Sequence, residues 1–175
     1  MELPKLTKEV ADKVDKLVDY ESKFIGQPLK VIFLDIDGVM NSASGTGPYL
    51  ADMEQYKLSL LKNVMDEELI YGIVLTSDRR FSDVYIKQFE EALDKYEIFM
   101  IDMLRRPKDI FDGPNDNRGK QIRDYLDIAT DIDKFVILDD MDDGISELFP
   151  KEYVQVNRFY GLNDDACKRM KEIMK

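Results

Sequence analysis

The chain contains no histidine and no tryptophan, and Cys167 is its single cysteine. Without histidine, the serine–histidine and cysteine–histidine nucleophiles, histidine general bases and histidine-ligated zinc are all excluded, and acid–base chemistry falls mainly to carboxylates. One cysteine allows no intramolecular disulfide or disulfide framework, and nothing points to an oxidising compartment. No apolar run approaches the length needed to cross a bilayer, and the polar start Met1-Glu2-Leu3-Pro4-Lys5 does not read as a signal peptide. The expected location is therefore the cytoplasm, with no membrane partner. Positive charge is in deficit as well: 25 basic against 36 acidic residues leave a formal net charge of -11. That balance argues against broad, sequence-blind attraction to nucleic acid or anionic membrane, while leaving room for a local basic patch.

What is present is enough for a sizeable core, since 44% of 175 residues are hydrophobic. The most informative stretch runs Val31-Ile32-Phe33-Leu34 straight into Asp35-Ile36-Asp37-Gly38. Four apolar residues, β-branched and aromatic among them, read as a strand covered on both faces, as in a parallel sheet. Period-2 geometry places Asp35 and Asp37 on one face, and Gly38 permits a sharp turn just beyond. Two such close acids repel unless a cation sits between them, and a hard, oxygen-liganded ion such as Mg2+ fits best. Taken alone the phrase is equally readable as a polar turn, because turns use aspartate and glycine constantly. The later strand ends decide between the two.

Along the chain, Val10, Val14, Leu17, Val18 and Phe24 recur at helical spacing, which predicts an amphipathic helix within residues 1–28, packed on a main domain of residues 29–175. A small-residue loop over 41–48 precedes a helical pattern at 53–67. A second buried strand at 69–75 ends in Thr76-Ser77-Asp78-Arg79-Arg80. A helix at 82–95 and a strand at 97–101 lead to a long loop, 102–117, carrying Arg105, Arg106 and Lys108. Helical periodicity resumes at 118–126. A fourth strand at 134–138 again runs into acids, Asp139-Asp140-Met141-Asp142-Asp143. A strand at 153–156 and a helix at 164–174 close the chain. This alternation predicts a doubly wound α/β fold with a parallel sheet of about five strands. Ligands bind such sheets beyond the carboxyl ends of the strands, so three polar strand ends become one expected site.

Those strand ends, with Arg118 and Lys120 opening a helix between the second and third, resemble in order the motifs of the haloacid dehalogenase (HAD) superfamily of phosphohydrolases. The resemblance spans about residues 30–174. Within it, the runs 31–42, 73–80, 118–122, 135–140 and 161–163 are similar to HAD domains associated with Swiss Army Knife RNA-repair proteins. Where that subgroup tends to carry tryptophan before the second-motif arginine, this chain has Arg79.

The resemblance implies a HAD-like Rossmannoid fold, capless or minimally capped, and a Mg2+-dependent phosphomonoesterase. It implies Asp35 as nucleophile and metal ligand, forming an aspartyl-phosphate, and Asp37 as general acid and base whose main-chain carbonyl reaches the metal. Thr76 or Ser77 supplies the hydroxyl for the transferring phosphoryl group; the alternative for Ser77 is a capping hydroxyl. Arg118 or Lys120 supplies the cation, and spacing does not separate them. Asp140 is implied as a direct Mg2+ ligand, with Asp139 and Asp143 holding metal-bound water or neighbouring groups. An uncapped site favours a phosphate displayed on a large molecule such as a nucleic-acid terminus, with Arg79, Arg80, Arg105, Arg106 and Lys108 as candidate contacts. Two alternatives remain at this level: a metal-binding module without turnover, and a phosphatase for nucleotides or other small metabolites.

Overall fold

The computed structural model describes residues 16–42, 53–105 and 117–175. Residues 16–22 are helical (α1). Strand β1 (Lys30–Leu34), helix α2 (Gln55–Glu68), strand β2 (Gly72–Leu75), a 3-10 turn (Asp78–Phe81), helix α3 (Asp83–Asp94) and strand β3 (Met100–Met103) follow. The second half holds α4 (Arg118–Leu126), β4 (Lys134–Asp139), α5 (Ile145–Leu148), β5 (Tyr153–Gln155) and α6 (Asp164–Met174).

The five strands are all parallel, in the order β3-β2-β1-β4-β5. The continuous apolar run of β1 is explained by its place in the middle of the sheet with both faces covered. Ile32 and Leu34 face a cluster with Leu58 and Leu61 of α2, Phe89 of α3 and Met170 of α6. Val31 and Phe33 face the other, with Ile122 of α4 and Ile145 of α5. Strand order reverses between β1 and β4, whose ends are in register at Leu34 and Leu138. The crevice at such a reversal is where doubly wound sheets bind ligands, and Asp35 and Asp139 each follow one of these two leucines. Helices α2 and α3 both contribute to the core, so among the described residues no cap domain stands over the strand ends.

Two strands begin later than periodicity implies. Leu69 adopts the left-handed conformation (φ 52°) and its N–H donates to the Met65 carbonyl, closing α2 before β2 can start at Gly72. After α3, Glu97 is left-handed (φ 54°) and Ile98, 2% exposed, plugs the core from the connecting turn. The apolar character of that segment therefore belongs partly to a turn, and β3 starts at Met100. The 3-10 turn and the four-residue α5 have no counterpart in the sequence reading.

Of the apolar positions expected in the first helix, Val10 and Val14 lie outside the described residues, while Leu17 and Val18 are 45% and 61% exposed. Contact with the sheet side runs instead through aromatic rings, Tyr20 to Phe99 at 4.2 Å and Phe24 to Tyr71 at 5.2 Å between centroids. The Tyr20 hydroxyl donates to the Tyr71 carbonyl.

Candidate active site

The ladder of β1 continues one residue past the strand, where the Asp35 N–H donates to the Leu138 carbonyl at 3.0 Å. This sets the Asp35 side chain beside those of Asp139 and Asp140. One carboxylate oxygen of each lies within 4.8 Å of the other two, and Asp35 and Asp139 are buried. Three hard oxygen donors at that spacing fit a Mg2+-sized cation. Burial pushes the Asp35 carboxyl up to about 7, with the neighbouring Asp139 raising it further against the pull of Arg118. Burial raises Asp139 and Asp140 as well. Such a cluster gains from any bound positive charge.

Arg118 is one such charge. Its Nη1 lies 2.7 Å from Asp139 Oδ2 and 3.0 Å from Asp35 Oδ1, and its Nη2 lies 3.4 Å from Asp78 Oδ1. Burial pulls the guanidinium down, but Asp35 and Asp139 more than offset this and hold it above its ordinary value. The local sequence explains how the arginine is seated. Asn117 caps α4, its Oδ1 accepting from the Lys120 N–H at 2.9 Å. Asp143 Oδ2 accepts from the Arg118 N–H at 2.8 Å, and the Asp143 carbonyl from the Gly119 N–H at 3.1 Å. A Cβ on Gly119 would collide with the Gly144 carbonyl, so only glycine lets the two segments interlock. Asp143 is exposed and stands outside the three-carboxylate group, acting here as the seat of α4. Lys120 is exposed.

Asp37 is engaged separately. Arg79 grips it at both oxygens, Nε to Oδ2 at 2.8 Å and Nη2 to Oδ1 at 2.5 Å, and Asn41 Nδ2 donates to Oδ1 at 3.1 Å. Asn41 also accepts from the Gly38 N–H at 2.9 Å, closing the turn after the acids. Gly38 has φ +79°, and a Cβ there would sit 2.6 Å from Asp140 Oδ2. This glycine is required both by conformation and by the close approach of the acid. Asn41 was not among the residues singled out from sequence; its spacing of four from Asp37 is the local signal for it.

At the end of β2, Thr76 is fully buried and its Oγ1 has no hydrogen-bond partner among the described residues. Ser77 Oγ accepts from the Arg79 N–H at 3.4 Å and caps the 3-10 turn. Arg80, grouped with the phosphate-facing arginines in the sequence reading, is buried instead. Its Nη1 donates to the Thr76 carbonyl, and Nη2 to Gln121 Oε1 of α4 at 2.9 Å. It ties the second strand end to the helix that carries Arg118. Arg105 is exposed, and Arg106 and Lys108 lie outside the described residues.

The family model for the HAD domain in Swiss Army Knife RNA repair proteins matches residues 31–167, from the second residue of β1 to the first turn of α6. No curated protein matches the chain. The matched span contains every residue placed around the strand ends above, and α1 lies before it.

Proposed function

Because the chain belongs to the family of HAD domains found in Swiss Army Knife RNA repair proteins, we propose that it is a Mg2+-dependent phosphomonoesterase acting through an aspartyl-phosphate on nucleic-acid termini. The observation that carries the reading is the buried group Asp35, Asp139 and Asp140 with the Arg118 guanidinium between the first two. In this reading those three carboxylates hold the metal, joined by the main-chain carbonyl of Asp37. Bound Mg2+ supplies neutralisation of the phosphate charge.

The chain's own residues then divide the work. A carboxylate oxygen of Asp35 forms a bond to phosphorus as the ester P–O bond breaks, and the leaving oxygen takes a proton from Asp37. In the second step Asp37 takes a proton from water, whose oxygen attacks phosphorus and frees Asp35 and inorganic phosphate. Arg118 is the cation of this site, since its guanidinium already meets the nucleophile. Thr76 Oγ1, buried without a partner among the described residues, is available to a phosphoryl oxygen. Arg79 orients Asp37, and Ser77 serves as a cap. The protein is read as acting in the cytoplasm.

A second reading, a phosphatase for small nucleotides, has its own support. A cavity of about 660 Å³ between α2 and α3 reaches Arg79 and is lined by Met53, Tyr85, Phe89 and Tyr96. Its volume falls in the range that holds a small ligand. Phosphate release from 5′- and 3′-phosphorylated oligonucleotides, mononucleotides and an aryl phosphate, with and without Mg2+ and beside Asp35→Asn, tests both. Oligonucleotides turned over faster than mononucleotides support the first; the reverse order supports the second. Equal rates for wild type and Asp35→Asn on every substrate remove the enzyme.

A further inference from the structure

Two large aromatic side chains, consecutive in the chain, stand bare in the turn after β5, and the first of them shares a cleft with Asp140. Phe159 is 56% exposed and Tyr160 is 71% exposed. They do not belong to a loose tail. Asn157 holds the turn from within: its Oδ1 accepts from the Phe159 N–H at 2.9 Å, and its carbonyl accepts from the N–H groups of Tyr160 at 2.9 Å and Gly161 at 2.7 Å. The turn is also fastened to the loop after β1. The Leu162 N–H donates to the Val39 carbonyl at 2.8 Å, and Gly161 packs so closely on that carbonyl that a Cβ would collide with it.

The residue before the aromatics leads back to the three-carboxylate group. Arg158 Nε lies 3.7 Å from Asp140 Oδ2 with half of the arginine side chain exposed, and its Cβ is 3.1 Å from where a Cβ on Gly38 would be. Asp140, Gln155, Arg158, Phe159 and Arg169 together line an open cleft of about 590 Å³. Arg169 is positioned on α6, its Nη2 donating to the Tyr153 carbonyl at 3.3 Å. In a chain of net charge -11, this cleft sets two arginines against the single carboxylate of Asp140 beside the exposed Phe159 ring, with Tyr160 next in the chain.

We propose that the turn over residues 157–160, with Arg158 and Arg169, is a stacking and phosphate-binding platform for the unpaired nucleotides next to the terminal phosphate. This rests on the nucleic-acid reading of the site. Adjacent rings offered to solvent suit flat bases, because every base has a π face whatever its identity, and flanking guanidiniums suit the intervening phosphates. A phosphopeptide offers a phosphate but no succession of flat faces. A base pair inside a duplex hides those faces in its own stack, so single strands are the preferred ligand.

A hydroxyl-ended, fluorescently labelled RNA hexamer provides the test, because it carries no phosphate to release and its binding is independent of turnover. Fluorescence anisotropy of the full chain with this hexamer, the same sequence as a duplex, an abasic hexamer and a phosphoserine peptide reads the platform directly. The expected result is binding of the single strand in preference to the duplex, abasic and peptide probes. F159A/Y160A weakens it by about tenfold, and Arg158→Ala reduces its salt dependence. Both aromatics are exposed, and an unchanged thermal midpoint confirms that the double variant folds. No binding of the single strand, equal binding of the abasic hexamer, equal affinity for F159A/Y160A, or tighter binding of the peptide overturns the platform. Phosphate release from a phosphorylated aryl or nucleotide substrate in the same preparation stands or falls separately.

Discussion

Arg79 and Asp37 form a two-point pair, Nε to Oδ2 at 2.8 Å and Nη2 to Oδ1 at 2.5 Å. The arginine comes from the 3-10 turn after β2 and the aspartate from the loop after β1, so the pair fixes one strand end against the other. A planar guanidinium holding both oxygens sets the orientation of the carboxylate, which a lysine does not reproduce.

If Asp37 delivers the proton to the leaving oxygen, the loss on substitution depends on how much the leaving group needs it. Asp37→Asn is expected to slow hydrolysis of an alkyl phosphate by about a hundredfold or more, and that of p-nitrophenyl phosphate far less. Arg79→Lys is expected to show the same leaving-group selectivity with a smaller, roughly tenfold, loss, as positioning alone is impaired. Steady-state kcat for the two substrates checks this; equal losses on both remove the proton-donor role.

The core of the fold was legible for a simple reason. Val31 to Leu34 is apolar without interruption because both sheet faces are covered, and β4 repeats the pattern, so two strands announced themselves together with the acids at their ends. Other features depend on geometry that sequence spacing does not carry. Period-2 alternation stops with β1 at Leu34, and Asp35 and Asp37 consequently meet different cations, Arg118 and Arg79. Arg79 and Arg80 are neighbours of identical chemistry, yet the 3-10 turn sends one to Asp37 and buries the other against Thr76 and Gln121. Arg118 and Lys120 stand two apart on a helix, where side chains do not share a face, and only the docking of α4 on Asp143 and Gly144 brings the arginine to the acids.

That docking makes Arg118 a stability determinant, apart from the role proposed for it as a charge for phosphate. Arg118→Ala leaves Asp35 and Asp139 buried without their shared guanidinium, which is expected to cost about 3 kcal/mol in the metal-free protein at pH 8. The loss shrinks at pH 5, where the Asp35 carboxyl, raised to about 7, takes up a proton. Lys120→Ala, at an exposed position, is expected to change stability by no more than about 0.5 kcal/mol. Urea unfolding of both variants in EDTA at the two pH values checks the contrast.

The same acids predict how stability follows pH without metal. Burial raises Asp35 to about 7 in the folded chain, whereas an unfolded aspartate titrates at about 4. The folded state therefore binds this proton more tightly, so the contribution is full below the unfolded value and is lost as pH rises through about 7. Thermal midpoints of the metal-free protein should fall between pH 5 and 8, and Asp35→Asn should flatten that fall. Mg2+ should stabilise the wild type more at pH 8 than at pH 5, since its ligands bind it deprotonated. A wild-type midpoint that rises over this interval in EDTA contradicts the assignment.

Thr76 separates structure from function most cleanly. Its Oγ1 is buried and makes no hydrogen bond among the described residues, so the native fold gains nothing visible from that hydroxyl. Replacing it with a methyl group of similar size removes a desolvated polar atom and breaks no hydrogen bond among the described residues. Thr76→Val is expected to leave the thermal midpoint unchanged or slightly raised. In the proposed chemistry the hydroxyl finds its partner only when a phosphoryl oxygen arrives, so the same variant should lower kcat/KM by about tenfold or more, the loss expected for a hydrogen bond to a charged group. Thr76→Ser, which restores the hydroxyl, should recover most of the activity at some cost in packing. A Thr76→Val enzyme with full activity and reduced stability would assign the hydroxyl to the fold instead.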